Sequence, residues 1–154
     1  MNKTHLTAIS RKKPSAPMKW LFDNYGPMLK GMMLDYGCGR GFDADYYGLY
    51  KYDPHYHNDP SFRVCGEGYD WIFCNYVLNV LQYKDEQDAV IKDICRLLKP
   101  TGGAFITVRR DCQLGKTSKG TWQSPIVFLD TTSFHKTSQY ETYFLTKEYA
   151  KWIK

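Results

Sequence analysis

Two acids and a run of alternating glycines carry the first chemical signal: Leu34-Asp35-Tyr36-Gly37-Cys38-Gly39-Arg40-Gly41, then Asp53. A glycine-rich turn between a strand and a helix lets backbone come close to a ligand, because glycine has no Cβ and tolerates unusual φ/ψ. In an open α/β sheet that ligand lies beyond the carboxyl ends of the strands, where strand order reverses. Asp53 closes a second short apolar run, and a carboxylate there is suited to accept hydrogen bonds from ribose hydroxyls. The stretch reads as a site for a nucleotide-like cofactor. A phosphate-binding loop is excluded, because no Gly-Lys-Ser/Thr follows the turn. The glycines also fall as Gly-x-Gly-x-Gly instead of the dinucleotide Gly-x-Gly-x-x-Gly, and Asp53 follows Gly41 at less than the about 20 residues usual there.

Other chemistries are weaker. His55 and His57 flank Tyr56, with Asp59 near, but no third convincing ligand accompanies them, and they read as surface residues, not a metal site. Five cysteines, odd in number and without Cys-x-x-Cys, suggest reduced, mostly buried thiols. The net charge of +5 is concentrated at Lys3, Arg11, Lys12, Lys13 and Lys19 and again at Lys147, Lys151 and Lys154. Such ends suit either contact with a polyanion or a solvated surface. The first residues lack the apolar core of a signal peptide and no run approaches the ~20 apolar residues of a membrane span, so a cytoplasmic protein with no membrane partner is expected.

The elements that must position these residues follow from the apolar pattern. A basic arm over residues 1–13 precedes a single domain over 14–154. Ser15 is placed to cap a helix over about 15–25, with Pro17 in its first turn and Gly26-Pro27 ending it. Met32 to Asp35 reads as a central parallel strand buried on both faces. A helical piece of one or two turns, Phe42 to Tyr47, leads to a strand over Leu49 to Tyr52. Residues 53–70 show no helical period, and at most Phe62-Arg63-Val64 is extended. Trp71 to Cys74 is the next strand. Asp85 to Leu98 is the clearest helix, with Val90, Ile91, Ile94, Leu97 and Leu98 on one face and Pro100 and Gly102-Gly103 ending it. Ala104 to Val108 is a further strand, followed by a loop rich in Lys, Thr, Ser and Gly. Ile126 to Leu129 and Tyr140 to Leu145 suggest a hairpin joined through Thr131 to Ser138. Strands alternating with helices predict an α/β fold with a mostly parallel sheet and an antiparallel C-terminal edge.

The segment LDYGCGRG resembles the first motif of class I S-adenosylmethionine-dependent methyltransferases, Leu-Asp-x-Gly-Cys-Gly-x-Gly. Asp53 matches that family's ribose-holding acid, Tyr69-Asp70-Trp71-Ile72 the start of its fourth strand, and Leu97-Leu98-Lys99-Pro100-Thr101-Gly102-Gly103 its run into the fifth. The likeness covers roughly residues 30 to 110. It implies a Rossmann-like sheet and S-adenosylmethionine as cofactor. Asp35, Tyr36, Gly37, Gly39, Arg40 and Gly41 would border the methionine and ribose, with the Asp35 carboxylate near the ammonium group. Asp53 and Pro54 would hold the ribose side, and Asn75, Tyr76 and Val77 would border the methyl-transfer position. The chain departs from the family between its second and fourth strands, where only residues 54–69 remain. The acid that usually faces adenine comes from that missing region, and Glu67 is a substitute of lesser promise.

In this family the acceptor meets residues after the fourth and fifth strands and in the N-terminal segment. Here those include Asn75, Asn79, Arg109, Arg110 and Asp111 as candidate catalytic residues, with Arg11, Lys12 and Gln123 as candidate substrate contacts. Asn79 is a neutral amide that can orient an acceptor but cannot act as a base. The Asp/Asn-Pro-Pro-Tyr/Phe signature of DNA amino-methyltransferases and the Pro-Cys of cytosine-C5 enzymes are both absent, which leaves Cys74 as a buried strand thiol. A narrower likeness adds Thr7 to Arg11, Ser15, Pro17, Asn75 to Val80 and Val108 to Asp111 with Gly120-Thr121-Trp122-Gln123. It resembles a group of methyltransferases linked to DNA phosphorothioate modification and phage genomes. These resemblances imply a methyltransferase acting on nucleic acid or a nucleotide. A small-metabolite methyltransferase and a non-catalytic S-adenosylmethionine-binding module are the alternatives.

Overall fold

The computed structural model describes residues 4–63, 66–125 and 129–153. Helix α1, Ala16–Tyr25, buries Met18 and Leu21 against Phe73 and Phe105. Ser15 precedes it but makes no side-chain cap. Its hydroxyl instead donates to Asp43 Oδ2 at 2.6 Å and its amide to Asp43 Oδ1 at 2.8 Å. The buried pair ties the start of α1 to helix α2, Phe42–Tyr47, which Gly48 ends in a left-handed conformation.

Strand β1, Met33–Tyr36, pairs in parallel with β2, Tyr50–Tyr52, on one side and β3, Tyr69–Asn75, on the other. Between β2 and β3 the expected extended Phe62-Arg63 lies in a 3-10 turn, Pro60–Arg63, while Val64 lies outside the described residues. Phe62 is buried there, stacked on the Tyr52 ring.

Helix α3, Lys84–Leu97, turns Ile91, Ile94, Cys95 and Leu97 to the core and stops one residue short of the sequence expectation. Leu98 opens strand β4, Leu98–Arg109, which is longer than the expected 104–108. Pro100 explains the sharp change, because it forces Lys99 out of the helical region. Gly102 belongs to this strand because its Cα lies against backbone: an added Cβ would meet the Tyr69 carbonyl at 2.7 Å. Past β4 a small ribbon of β5, Gly115–Lys116, and β6, Trp122–Gln123, arises in a stretch expected to be loop.

The C-terminal hairpin differs from expectation in its first strand. Its strands are β7, Ser133–Lys136, and β8, Tyr140–Thr146, so β7 occupies what read as connecting loop. Of the expected strand, Ile126, Val127 and Phe128 lie outside the described residues and Leu129 is in no strand. Aromatic contacts hold β7 in place: His135 stacks on Trp20 with centroids 3.5 Å apart, and Phe134 meets Phe105 at 5.4 Å. The strand order is β2-β1-β3-β4-β8-β7, parallel through β4 and antiparallel beyond it, a Rossmann-like α/β sheet. Order reverses at β1, which sets a crevice beyond its carboxyl end. Among the described residues no helix is long and apolar enough to cross a membrane.

Candidate functional site

At that reversal point lies a cavity of about 430 Å³, within the range of small-molecule sites. Its floor is the glycine turn. Gly37 and Cys38 amides both donate to the Tyr52 carbonyl, at 2.7 and 2.9 Å, and the Gly39 amide donates to Asp53 Oδ1 at 3.1 Å. The turn is thereby pinned between the ends of β1 and β2. Gly37 has φ +81°, and a Cβ there would lie 2.3 Å from Val77 Cγ2. Only glycine admits Val77 to the cavity wall.

Two carboxylates face this floor in different states. Asp53 Oδ2 accepts the amides of His55 and Tyr56, each at 3.0 Å, so the group is fixed by backbone and stays half-exposed. Asp35 is 3 % exposed and accepts no hydrogen bond from the described residues. Burial, then the neighbouring Asp43 and Asp53, push its carboxyl well above the ordinary range, with Arg11 opposing them. Such a buried acid lining a cavity is complementary to a cationic ligand group.

The wall expected to be missing after Asp53 is supplied from three places. Tyr36 and Tyr52 stand edge to face at 4.9 Å. The Tyr36 hydroxyl donates to Asp93 of α3 at 2.5 Å, and Arg63 grips the same carboxylate at 2.7 and 2.9 Å. With Val77, Leu81 and Val90 these rings form an apolar recess. The third contribution is the arm. Its Thr4–Thr7 turn lies across the cavity, His5 stacks on His55 at 4.0 Å, and Ala8 sits 3.4 Å from a Cβ placed on Gly39. Residue spacing gives no sign of this contact, because it is made only by tertiary folding. Tyr52 was legible in principle as the neighbour of Asp53.

The opposite end is lined by amides and arginines. Asn75 ends β3, and neither its Oδ1 nor its Nδ2 has a hydrogen-bond partner among the described residues although both are buried. Asn79 is wholly buried in the turn Leu78–Val80. It donates to Gln123 Oε1 at 2.9 Å, leaving Asn79 Oδ1 without a partner. Each buried polar group left so costs about 1–3 kcal/mol. Tyr76, between them, has φ 62° and is the only described non-glycine residue with positive φ. Strain of this kind, about 1–3 kcal/mol, concentrates at functional sites. Burial pushes the Tyr76 hydroxyl up to about 12, against Arg11 and Arg109.

Of the residues singled out in the sequence, the structure gathers most around the cavity: Arg11, Asp35 to Gly37, Gly39 to Gly41, Asp53, Pro54, Asn75 to Val77, Asn79, Arg109 and Gln123. Others lie elsewhere. Lys12 is exposed, Arg110 donates to the Thr137 carbonyl, and Asp111 is the ion-pair partner of Arg109 at 2.9 Å. Glu67 is also exposed and does not line the cavity. His57 lies 3.3 Å from the Arg40 carbonyl, and among the described residues no group of three or more metal-ligating side chains occurs.

Comparison with solved structures shows that the chain shares its Rossmann-like fold with several methyltransferases. In particular, the chain is similar to a Burkholderia thailandensis 1,6-didemethyltoxoflavin-N1-methyltransferase, solved with 1,6-didemethyltoxoflavin and S-adenosylhomocysteine. That match has a TM-score of 0.59 and 17 % identity over 84 % of this chain and 76 % of the other. It is also similar to a Sulfolobus solfataricus protein classed as a type 11 methyltransferase, with a TM-score of 0.56 and 20 % identity over 87 % of this chain and 93 % of the other. In sequence the chain matches no family model and no curated protein.

Proposed function

We propose that the chain is an S-adenosylmethionine-dependent methyltransferase whose acceptor is a nucleotide or a nucleic acid. The observation that carries the cofactor assignment is Asp35, a buried carboxylate at the cavity floor with no hydrogen-bond partner among the described residues. The cofactor's ammonium group would satisfy it, and the backbone-fixed Asp53 would accept the ribose hydroxyls. The apolar recess of Tyr36, Tyr52 and Val90 suits adenine and needs no acid from the absent strand. When bound, the cofactor supplies an electrophilic methyl group on a sulfonium.

The chain's own part is to orient the acceptor and keep bulk water out. In-line displacement depends on such positioning. The arm over Thr4–Thr7 covers the cavity, and Asn75, Asn79 and Arg109 border the remaining side. Arg11, beside Arg109 in its ion pair with Asp111, favours an anionic acceptor at that side, which supports the nucleotide reading. The N1-methyltransferase similarity favours a small nitrogen heterocycle as the second reading. Transfer of labelled methyl from S-adenosylmethionine to nucleotides, nucleic acids or lysate metabolites separates these acceptors. Cofactor binding with no transfer to any of them would identify a binding module and overturn the enzymatic reading.

A further inference from the structure

Resting on that reading, we infer that Asp93 and Arg63, which lie outside the cavity, are positioning residues that set how tightly the cofactor's adenine is held. Three elements meet on the Asp93 carboxylate. The Tyr36 hydroxyl, from the end of β1, donates to Oδ2 at 2.5 Å, Arg63 of the Pro60–Arg63 turn donates to Oδ1 and Oδ2 at 2.7 and 2.9 Å, and Asp93 itself belongs to α3. Arg96 adds a longer bond to Oδ1 at 3.3 Å. Tyr36 and Tyr52 line the cavity, whereas Arg63, Asp93 and Arg96 do not. Arg63 also reaches the second ring. Its guanidinium lies over Phe62, 4.7 Å from the ring centroid, and Phe62 stacks on Tyr52 at 4.2 Å. One arginine thus holds Tyr36 through a carboxylate and Tyr52 through a stack.

Tyr36 belongs to the core between β1 and α3, where an apolar side chain would need no partner. A phenol there must have its hydroxyl met, and Asp93 meets it with a charge-assisted bond. That bond fixes the far end of the ring, while Tyr52 meets the ring edge to face at 4.9 Å. Contact between a flat base and aromatic rings depends on their offset and tilt, so a ring that shifts gives up part of the contact. Groups in a binding site need placement within about 0.5 Å, and the residues behind them supply it. Arg63 lies in the short segment between β2 and β3, and its turn serves the recess from behind instead of lining it. The clamp is confined to the base end, and Asp35 at the other end shares no bond with it.

The test titrates the full chain calorimetrically with S-adenosylhomocysteine and, in parallel, with 5′-methylthioadenosine, which keeps the base and ribose but lacks the amino acid. Asp93→Leu and Tyr36→Phe should each weaken both ligands about tenfold, with stoichiometry unchanged. Because the two substitutions break the same bond, the double variant should bind no worse than the weaker-binding single variant. Arg63→Met removes an exposed side chain and tests the clamp from the turn. It should weaken both ligands alike, and it stands in should Asp93→Leu fail to fold. Single variants that bind both ligands as the native chain does, losses that multiply in the double variant, or a loss confined to S-adenosylhomocysteine overturns the inference. Failure of the native chain to bind S-adenosylhomocysteine is a distinct result that removes the cofactor reading as well.

Discussion

Asp35 is where the folded chain and a ligand compete most directly for one charge. Its carboxyl is held above the ordinary value of 3.8 by burial and by Asp43 and Asp53. The folded state therefore binds this proton more tightly than the unfolded chain does. Stability is complete below the ordinary value and is lost as pH rises through the raised one. Asp35→Asn should flatten that decline and raise the melting temperature at neutral pH, as thermal unfolding across pH would register. An unchanged slope would assign the decline to another group. Gly37→Ala should act in the opposite sense. Its φ of +81° and the 2.3 Å approach to Val77 impose about 1–2 kcal/mol of backbone strain and push Val77 aside. Both melting temperature and cofactor affinity should fall.

The elements that carry the site depend on side chains buttressing backbone. Lys147 donates to the carbonyls of Cys95, Arg96 and Leu98, at 3.0, 3.1 and 2.8 Å, where α3 passes into β4. Replacing it by Met should cost about 1–2 kcal/mol after allowance for partial exposure, measurable by urea unfolding. A change within error would mean that water serves those carbonyls equally well. Gln87 plays a similar part for the turn that holds Asn79, donating to the Leu78 and Leu81 carbonyls at 3.1 Å each. Much of this layer was legible in sequence. The glycine turn, the apolar runs of β1 and β3 and the period of α3 are local signals, and all three elements formed close to their expected bounds. What escaped depends on remote partners: β7 is held by Trp20 and Phe105, Ser15 is drawn from its cap by Asp43, and Leu98 is taken from α3 by pairing with Tyr69. Asn75 and Asn79 were visible as residue types, but only the fold reveals that their polar atoms are buried and unpaired.

At the scale of the whole molecule, the sheet of the described residues has no strand beyond β2, and the arm, Tyr52 and Val90 of α3 border the cavity there. That arrangement makes the N-terminal segment part of the site. Removing residues 1–9 should therefore weaken cofactor binding more than it lowers the melting temperature, with equal losses arguing for a purely structural arm. The net charge of +5 bears on the size of the acceptor. If the acceptor is a nucleic acid, affinity should fall steeply with salt, because phosphate contacts release counterions. A shallow dependence would point to a free nucleotide. The central claim is that the cavity at β1 holds S-adenosylmethionine, and calorimetric titration with S-adenosylhomocysteine tests it most directly. Saturable binding at micromolar ligand, lost in Asp53→Ala, is the result expected; no heat and no thermal shift at ~1 mM ligand would contradict it.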